Sequence, residues 1–191
     1  MPFDYAVEAE RYDATRGGQE RAEAAAAAII GLVPVLGTVL DVAGGTGIVS
    51  RRMAARGHRV AVIDLIPEML RLAQARLPGV AACMDASRLA VADASIDTVT
   101  MVWLLHLVPN VEPLIADAAR VLRSGGHLVT TVDKAAANGE VRENPSDARA
   151  IVTGLAAVHG LVPAGETSFV GVGQRGGPVY TLLSFVRVRP Q

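Results

Sequence analysis

The chain has 191 residues, of which 51% are hydrophobic and 4% aromatic, so it is long enough for one domain whose core is built mainly from Ala, Val and Leu. Its formal net charge of −1 gives no argument for a nucleic-acid partner or an anionic membrane surface. The single cysteine, Cys83, excludes an internal disulfide and is compatible with a reducing cytoplasm.

The most apolar tract, from Ala24 to Leu40, is interrupted by two glycines and a proline. It is also shorter than the roughly 20 residues that a membrane span needs. The first ten residues carry three acids, Asp4, Glu8 and Glu10, instead of the basic start of a secretory signal. We therefore expect a soluble, cytoplasmic protein with no membrane partner.

The N-terminal part precedes any strand pattern. Residues 1–18 are polar with spaced aromatic side chains and no clear periodicity, which predicts either a segment that caps the core or a frayed terminus. Residues 19–32 are strong helix formers and end near Gly31 and Pro34. We expect one domain over residues 1–191, with cap helices over 1–35 and the core over 36–191.

From Thr38 onwards, strand and helix patterns alternate. The predicted strands are 38–43, 59–64, 80–84, 96–103 and 127–132, and the predicted helices are 47–56, 67–76 and 110–123. Alternation with short connections predicts a parallel sheet that is covered by helices on both faces.

The C-terminal part has a different pattern. A helix is predicted over about 146–159, followed by strands near 167–172 and 178–188. Their connection, 173–178, is too short for a crossover helix, so these two strands should form an antiparallel hairpin.

A glycine turn follows the first strand. Val39–Val42 is apolar except for Asp41, and Gly44, Gly45 and Gly47 come next, before a predicted helix. Glycines in such a turn permit positive φ and remove the Cβ that would obstruct a nucleotide-like ligand. Alone, this motif is a weak signal.

Three acids, Asp41, Asp64 and Asp85, lie where the first three predicted strands end or begin to turn. The carboxyl ends of parallel strands share one edge, where ligands bind. Asp64 lies 17 positions beyond Gly47 (64 − 47) and could accept hydrogen bonds from both ribose hydroxyls of an adenosine. Asp85, 21 positions later (85 − 64), could accept from an adenine amino group. The alternative is that these acids only cap the following turns.

Four segments resemble the class I S-adenosylmethionine-dependent methyltransferases, in the small-molecule branch that includes the ubiquinone/menaquinone enzymes. They are Leu40–Gly47, Asp64–Leu70, Met84–Leu89 and Arg120–Leu128. The resemblance implies an α/β fold: a three-layer Rossmann-like sheet of seven strands, order 3-2-1-4-5-7-6, with strand 7 antiparallel. A dinucleotide-binding domain is the competitor, but its fingerprint requires Gly or Ala where this chain has Ser50, and it does not explain Asp85 or the hairpin.

The resemblance implies that S-adenosylmethionine is the cofactor, with S-adenosylhomocysteine as product, and that no metal is required. By position, the implied cofactor-binding residues are Tyr12, Arg16, Asp41, Ala43, Gly44, Gly45, Gly47, Asp64, Leu65, Met69, Asp85, Ala86 and Trp103. Tyr12 and Arg16 would meet the methionine end. Ala43 departs from the glycine that many relatives have, and Ile66 replaces a frequent serine.

His106 is the only histidine at the predicted ligand edge, and it could line the substrate pocket or act as a general base. A packed or solvated histidine is the alternative, and Asp133 is a weaker second candidate. No Asn/Asp-Pro-Pro-Tyr/Phe motif follows strand four, and no basic patch is evident, so a nucleic-acid substrate is not expected.

Two functions remain open at this point. The first is transfer of a methyl group to O, N or C of a small molecule, such as a secondary metabolite or a quinone-like compound. The second is a biosynthetic protein of the same fold that binds S-adenosylmethionine or S-adenosylhomocysteine without transferring methyl. The short 139–144 connection predicts a pocket that is small, open or completed by a second subunit of a homodimer.

Overall fold

The computed structural model describes residues 4–33, 35–171 and 176–188. Within them, seven strands form one sheet with the order β3-β2-β1-β4-β5-β7-β6. The strands are β1 (Thr38–Val42), β2 (Arg59–Asp64), β3 (Ala81–Cys83), β4 (Ile96–Met101), β5 (Leu122–Val132), β6 (Leu161–Val170) and β7 (Val179–Arg187). The helices are α1 (Tyr5–Thr15), α2 (Gly18–Leu32), α3 (Ile48–Ala55), α4 (Pro67–Arg76), α5 (Glu112–Val121), α6 (Lys134–Ala137) and α7 (Arg149–Val158).

The first five strands pair in parallel, whereas β7 pairs antiparallel with both β5 and β6. This arrangement confirms the predicted fold, including the strand order and the antiparallel seventh strand. The register sets Asp41 beside Val62 of β2 and Thr100 of β4, so Asp41 lies at the centre of the sheet.

Helices cover both faces, because side chains of successive strand residues point to opposite sides. On one face, Leu40 and Val42 of β1 pack in a core cluster with residues of α5 and α7. On the other face, Val39 packs with the small side chains of α2 and with Met53 of α3. The result is the three-layer sandwich that alternating strands and helices predict.

Several bounds differ from the sequence prediction. Strand β5 begins at Leu122 and continues through the predicted turn at 124–126, where the pairing register with β4 shifts and Gly125 has φ +81°. Strand β6 begins at Leu161, six residues before its predicted start, and runs through Pro163. An edge strand tolerates proline, because no neighbour on its outer side needs the missing N–H. Part of the predicted 173–178 hairpin connection lies outside the described residues.

Segment 1–18 contains α1, which begins at Tyr5 with Asp4 as its N-cap: Asp4 Oδ1 accepts from the N–H groups of Ala6 and Val7. Both α1 and α2 lie before β1 in the chain, and β1 begins at Thr38. The division into a cap over 1–35 and a core over 36–191 stays a prediction.

Three residues with positive φ mark one edge of the sheet. Ala43 (φ +56°), Trp103 (φ +60°) and Asp133 (φ +52°) come just after the carboxyl ends of β1, β4 and β5. This conformation costs a residue with a Cβ about 1–2 kcal/mol. Such strain concentrates at functional sites, and the observation directs attention to this edge.

Candidate active site

A cavity of about 250 Å³ opens at the carboxyl edge of β1, β2 and β4. It is lined mainly by apolar side chains, with α1 and α2 contributing Tyr5, Tyr12 and Arg21. Ten residues of the predicted site line it: Tyr12, Asp41, Ala43, Gly44, Gly45, Asp64, Leu65, Met69, Ala86 and Trp103. Four do not: Arg16, Gly47, Asp85 and His106. Residues that are up to 91 positions apart in the sequence (103 − 12) thus line the same cavity.

The glycine turn forms one wall of the cavity. A Cβ on Gly44 would lie 2.8 Å from both Asp41 Oδ2 and Val62 Cγ1, so no side chain fits there. Gly45 has φ +56°, and a Cβ on it would meet no heavy atom within 4 Å. Gly47 serves packing instead, because its Cβ would lie 3.2 Å from Ala73 of α4. The turn therefore exposes bare backbone at Gly45 to the cavity.

Asp41 supports this turn from below. It is 5% exposed, accepts a 2.7 Å hydrogen bond from Thr100 Oγ1 and accepts another from the hydroxyl of Ser50. Burial raises the pKa of Asp41, and the two hydroxyl hydrogen bonds oppose that rise. Both carboxylate oxygens thus have partners within the protein, and Asp41 links Ser50 of α3 to Thr100 of β4.

Asp64 ends β2 at the opposite end of the cavity from Trp103. Its Oδ2 accepts from the Gly45 N–H (2.9 Å) and its Oδ1 from the Ile66 N–H (3.0 Å). Burial raises the pKa of Asp64, and these backbone hydrogen bonds counteract it. The backbone N–H of Leu65 also donates to this carboxylate, which has about four lone-pair sites, so the group can still accept from a ligand hydroxyl.

The segment after β3 divides between the cavity and the surface. Met84 and Ala86 line the cavity, whereas Asp85 is exposed. Asp85 Oδ1 accepts from the Ser87 N–H and from the Ser87 hydroxyl, each at 2.8 Å, and these bonds lower the pKa of Asp85. Asp85 thus caps its own turn in the structure, and its contact with adenine stays a prediction.

Trp103 and Arg21 form the wall beyond β4. The backbone N–H of Trp103 donates to Thr131 Oγ1 (2.8 Å). The Trp103 ring packs edge-on against Phe169 and Tyr180, with ring centroids 5.6 and 5.5 Å away. The Arg21 guanidinium carbon lies 4.1 Å from the centroid of the Trp103 ring. The cluster of Trp103, Phe169 and Tyr180 thus holds the guanidinium of Arg21 at the cavity wall.

Helix α1 covers the cavity, with Tyr5 and Tyr12 facing it and their ring centroids 6.0 Å apart. Burial raises the pKa of Tyr5, which keeps its phenol protonated at neutral pH. Arg16 lies outside the lining, with its guanidinium carbon 5.9 Å from the Tyr12 centroid.

A polar contact holds α1 to the glycine turn. Asp13 accepts from Thr46 Oγ1 (2.7 Å) and from Arg76 Nη2 (2.5 Å). Arg76 Nη1 also donates to the Thr46 carbonyl (2.6 Å). We call Asp13, Thr46 and Arg76 the α1 latch.

His106 lies in a short 3₁₀ turn, Leu105–Leu107, and is not among the residues that line the cavity. Its Nδ1 is buried without a hydrogen-bond partner. Burial, together with the positive charges of Lys134 and Arg142, lowers the pKa of His106 to about 3. The side chain is therefore neutral at physiological pH and weakly basic, and both its position and its pKa disfavour the general-base role.

Sequence reasoning missed several lining residues, among them Tyr5, Arg21, Thr46 and Met84. The position of Arg21 could have been predicted from the sequence. Arg21, Ala25 and Ile29 follow one another at four-residue spacing, and Ala25 and Ile29 are fully buried, so helical periodicity places Arg21 on the buried face of α2. Tyr5 carried no such signal, because α1 has a single buried residue.

Within the described ranges, no three His, Cys, Asp or Glu side chains are grouped so as to hold a metal ion. The helices of the described residues also include none that is long and apolar enough to span a bilayer.

The strand order, the antiparallel seventh strand and the glycine turn after β1 define the class I methyltransferase fold. Residues 40–130 match the model of a family described as a methyltransferase domain. This match covers 91 of the 191 residues (130 − 40 + 1) and agrees with the resemblance found in the sequence.

The known proteins that resemble this chain include methyltransferases and a cyclase. Demethylmenaquinone methyltransferase of Tropheryma whipplei is 39% identical over 94 residues, which are 48% of this chain and 39% of that protein. The match thus spans about two fifths of the relative's length. The solved structure of geranyl diphosphate C-methyltransferase from Streptomyces coelicolor has a TM-score of 0.69 at 15% identity, covering 86% of this chain and 76% of that one. The [4+2]-cyclase SpnF has a TM-score of 0.76 at 15% identity, covering 97% and 95%. At these identities the two structures show the fold alone.

Proposed function

We propose that the protein is an S-adenosylmethionine-dependent methyltransferase that transfers a methyl group to O, N or C of a small molecule, such as a secondary metabolite or a quinone-like compound. The observation that carries the proposal is the cavity itself. It joins the bare backbone of Gly45, the carboxylate of Asp64 and a largely apolar wall at one sheet edge. The family match over residues 40–130 supports it.

The residues present fit the cofactor. The glycine turn leaves space where a Cβ would otherwise project at Gly45, and the carboxylate of Asp64 can still accept a hydrogen bond from the ribose. Leu65, Met69 and Ala86 offer apolar surface for adenine next to Asp64. The methionine end would then extend along the glycine turn towards Trp103 and Tyr12, which line the other part of the cavity.

When bound, S-adenosylmethionine supplies an electrophilic methyl group on its sulfonium. The contribution of the chain is alignment and exclusion of water. Asp64 and the turn at Gly44 and Gly45 fix the cofactor, while Tyr5 and Tyr12 of α1 cover it. Holding two reactants in line lowers the entropic part of the barrier substantially. No histidine lines the cavity in the described chain, so in this proposal the acceptor attacks the methyl group without a histidine as general base.

Binding of S-adenosylhomocysteine, measured by isothermal titration calorimetry, tests the cofactor site. Asp64→Asn removes the charge that strengthens the ribose hydrogen bonds, and a bond to a charged group contributes about 1.5–3 kcal/mol. The dissociation constant should therefore rise about 10- to 150-fold. Glu68→Gln is the matched control, because Glu68 is exposed on α4 and does not line the cavity. Equal affinity of Asp64→Asn and wild type would remove Asp64 from the site.

A protein that binds the cofactor without transferring methyl is the second candidate. The absence of a histidine from the described cavity lining favours it, and the fold also occurs in a [4+2]-cyclase. Incubation with methyl-labelled S-adenosylmethionine and a panel of small metabolites separates the two candidates. Label in any product supports methyl transfer, whereas cofactor-dependent conversion without label supports the second candidate.

We further propose a cytoplasmic location and a homodimer. The free, exposed thiol of Cys83 suits a reducing compartment. Exposed apolar side chains at Val162 and Val170 of the edge strand β6 offer a surface for a second copy. Sedimentation equilibrium should give twice the 19.9 kDa mass of the chain, and a monomer at micromolar concentration would contradict the dimer.

A further inference from the structure

Arg21 brings a buried positive charge into the cavity. The residue is 8% exposed, lines the cavity and stacks on Trp103. Within the described chain, the charged or polar groups that act on its guanidinium are Tyr12, Tyr180 and Arg16, and none of them is a carboxylate. Arg21 is therefore a buried cation that lacks an anionic counterpart among these neighbours.

A buried charge without a counter-charge is costly, so a guanidinium in this position implies an anion that comes from outside the chain. The group has five N–H donors in a planar fork, more than the Tyr12 side chain can accept. A carboxylate is the planar anion that matches this fork with two parallel hydrogen bonds.

Arg21 lies at the end of the cavity near Trp103, which follows β4. Asp64, the ribose-binding candidate, ends β2, and β1 lies between β2 and β4 in the sheet. The two carboxylates that line the cavity, Asp41 and Asp64, accept hydrogen bonds from other groups of the protein. S-adenosylmethionine brings one carboxylate together with an ammonium and a sulfonium, so its binding adds a net charge of +1 to the cavity. An anionic methyl acceptor would supply a counter-charge for Arg21.

We propose that the methyl acceptor is an organic carboxylate whose carboxyl group binds Arg21 and whose apolar body packs against Leu104, Leu107 and Val108. This inference rests on the proposed function. The three apolar residues line the same cavity as Arg21.

Calorimetry on the protein saturated with S-adenosylhomocysteine tests the inference, with benzoate as the anionic probe and benzamide as its neutral counterpart. Wild type should bind benzoate at least about tenfold more tightly than benzamide, as expected for a charge-assisted bidentate pair. Arg21→Gln should abolish that preference, and Arg21→Lys should retain part of it. Arg21→Lys keeps the positive charge at this position and covers the case in which Arg21→Gln fails to fold. Arg51→Gln, at an exposed position on α3, is the matched control and should change nothing.

The same variants distinguish an acceptor carboxylate from the carboxylate of the cofactor's methionine part. Arg21→Gln should bind S-adenosylhomocysteine and 5′-methylthioadenosine, which lacks that carboxylate, with unchanged relative affinity. A tenfold loss confined to S-adenosylhomocysteine would assign Arg21 to the cofactor and overturn the inference. Equal binding of benzoate and benzamide to the saturated wild type would also overturn it, with the proposed function intact. Failure of wild type to bind S-adenosylhomocysteine would overturn the proposed function and the inference together.

Discussion

The α1 latch predicts how firmly α1 covers the cavity. Asp13→Ala removes the hydrogen bond to Thr46 and the ion pair to Arg76, both of which are largely shielded from solvent: the two ion-paired side chains are 18% and 24% exposed. A hydrogen bond between charged groups contributes about 1.5–3 kcal/mol, and we take about 2 kcal/mol for this one. Alanine is the better helix former by about 0.5 kcal/mol, which leaves a net loss of about 1.5 kcal/mol. Opening of α1 should become about tenfold more frequent.

Amide hydrogen exchange of peptides that cover α1, followed by mass spectrometry, measures this opening. Glu10→Ala is the matched control, since Glu10 lies on the same helix and pairs with Arg71 of the same α4 partner. That pair is 67% and 63% exposed, so its loss should change exchange at most about threefold. Exchange in Asp13→Ala that equals exchange in Glu10→Ala would refute the latch.

Three further outcomes are expected. Ala43→Gly should stabilise the protein by up to about 1 kcal/mol in urea denaturation, because it relieves the positive φ of +56°, whereas Ala43→Val should destabilise it by about 2 kcal/mol; the reverse order would contradict the strain argument. His106→Gln should leave the pH profile of methyl transfer unchanged between pH 5 and 9, and an inflection near neutral pH that the variant lacks would contradict this assignment. The pKa of His106 is about 3 in the folded state and 6.5 in the unfolded state, so the free energy of unfolding of wild type should fall relative to that of the variant as pH falls from about 6.5 towards 3. Asp41→Asn should show the opposite pH dependence of stability. Because the pKa of Asp41 is raised in the folded state, the free energy of unfolding of wild type should fall relative to that of the variant as pH rises above 3.8, the pKa in the unfolded state; a difference that does not change with pH would contradict this prediction.

The sequence predicts those parts of the fold whose signals are local. Helix α4 was predicted with its observed bounds, because Pro67 at the first turn and the break at Pro78-Gly79 both act within a few residues. Strand β2 was likewise predicted from Arg59 to Asp64. By contrast, the extent of β5 depends on a bulge that only the pairing with β4 creates, so Gly125 and Gly126 indicated a turn instead.

The residues of the candidate site also fall into a part that the sequence predicts and a part that depends on tertiary packing. The glycine turn and Asp64 could be placed from spacing, because parallel strands bring their carboxyl ends to one edge. Which neighbouring side chains face the cavity is a tertiary property. Asp85 turns to Ser87 at the surface, and His106 lies outside the lining, although both follow strands at the correct edge. Arg21 enters because α2 packs its buried face against that edge.

A crystal structure of the protein with S-adenosylhomocysteine tests the central proposal most directly. We predict density in the cavity, with the ribose hydroxyls about 3 Å from the Asp64 carboxylate oxygens, adenine between Leu65 and Ala86, and the sulfur on the side of the cavity that Trp103 lines. Density elsewhere on the molecule, or an empty cavity at saturating ligand, would contradict the assignment of this cavity to the cofactor.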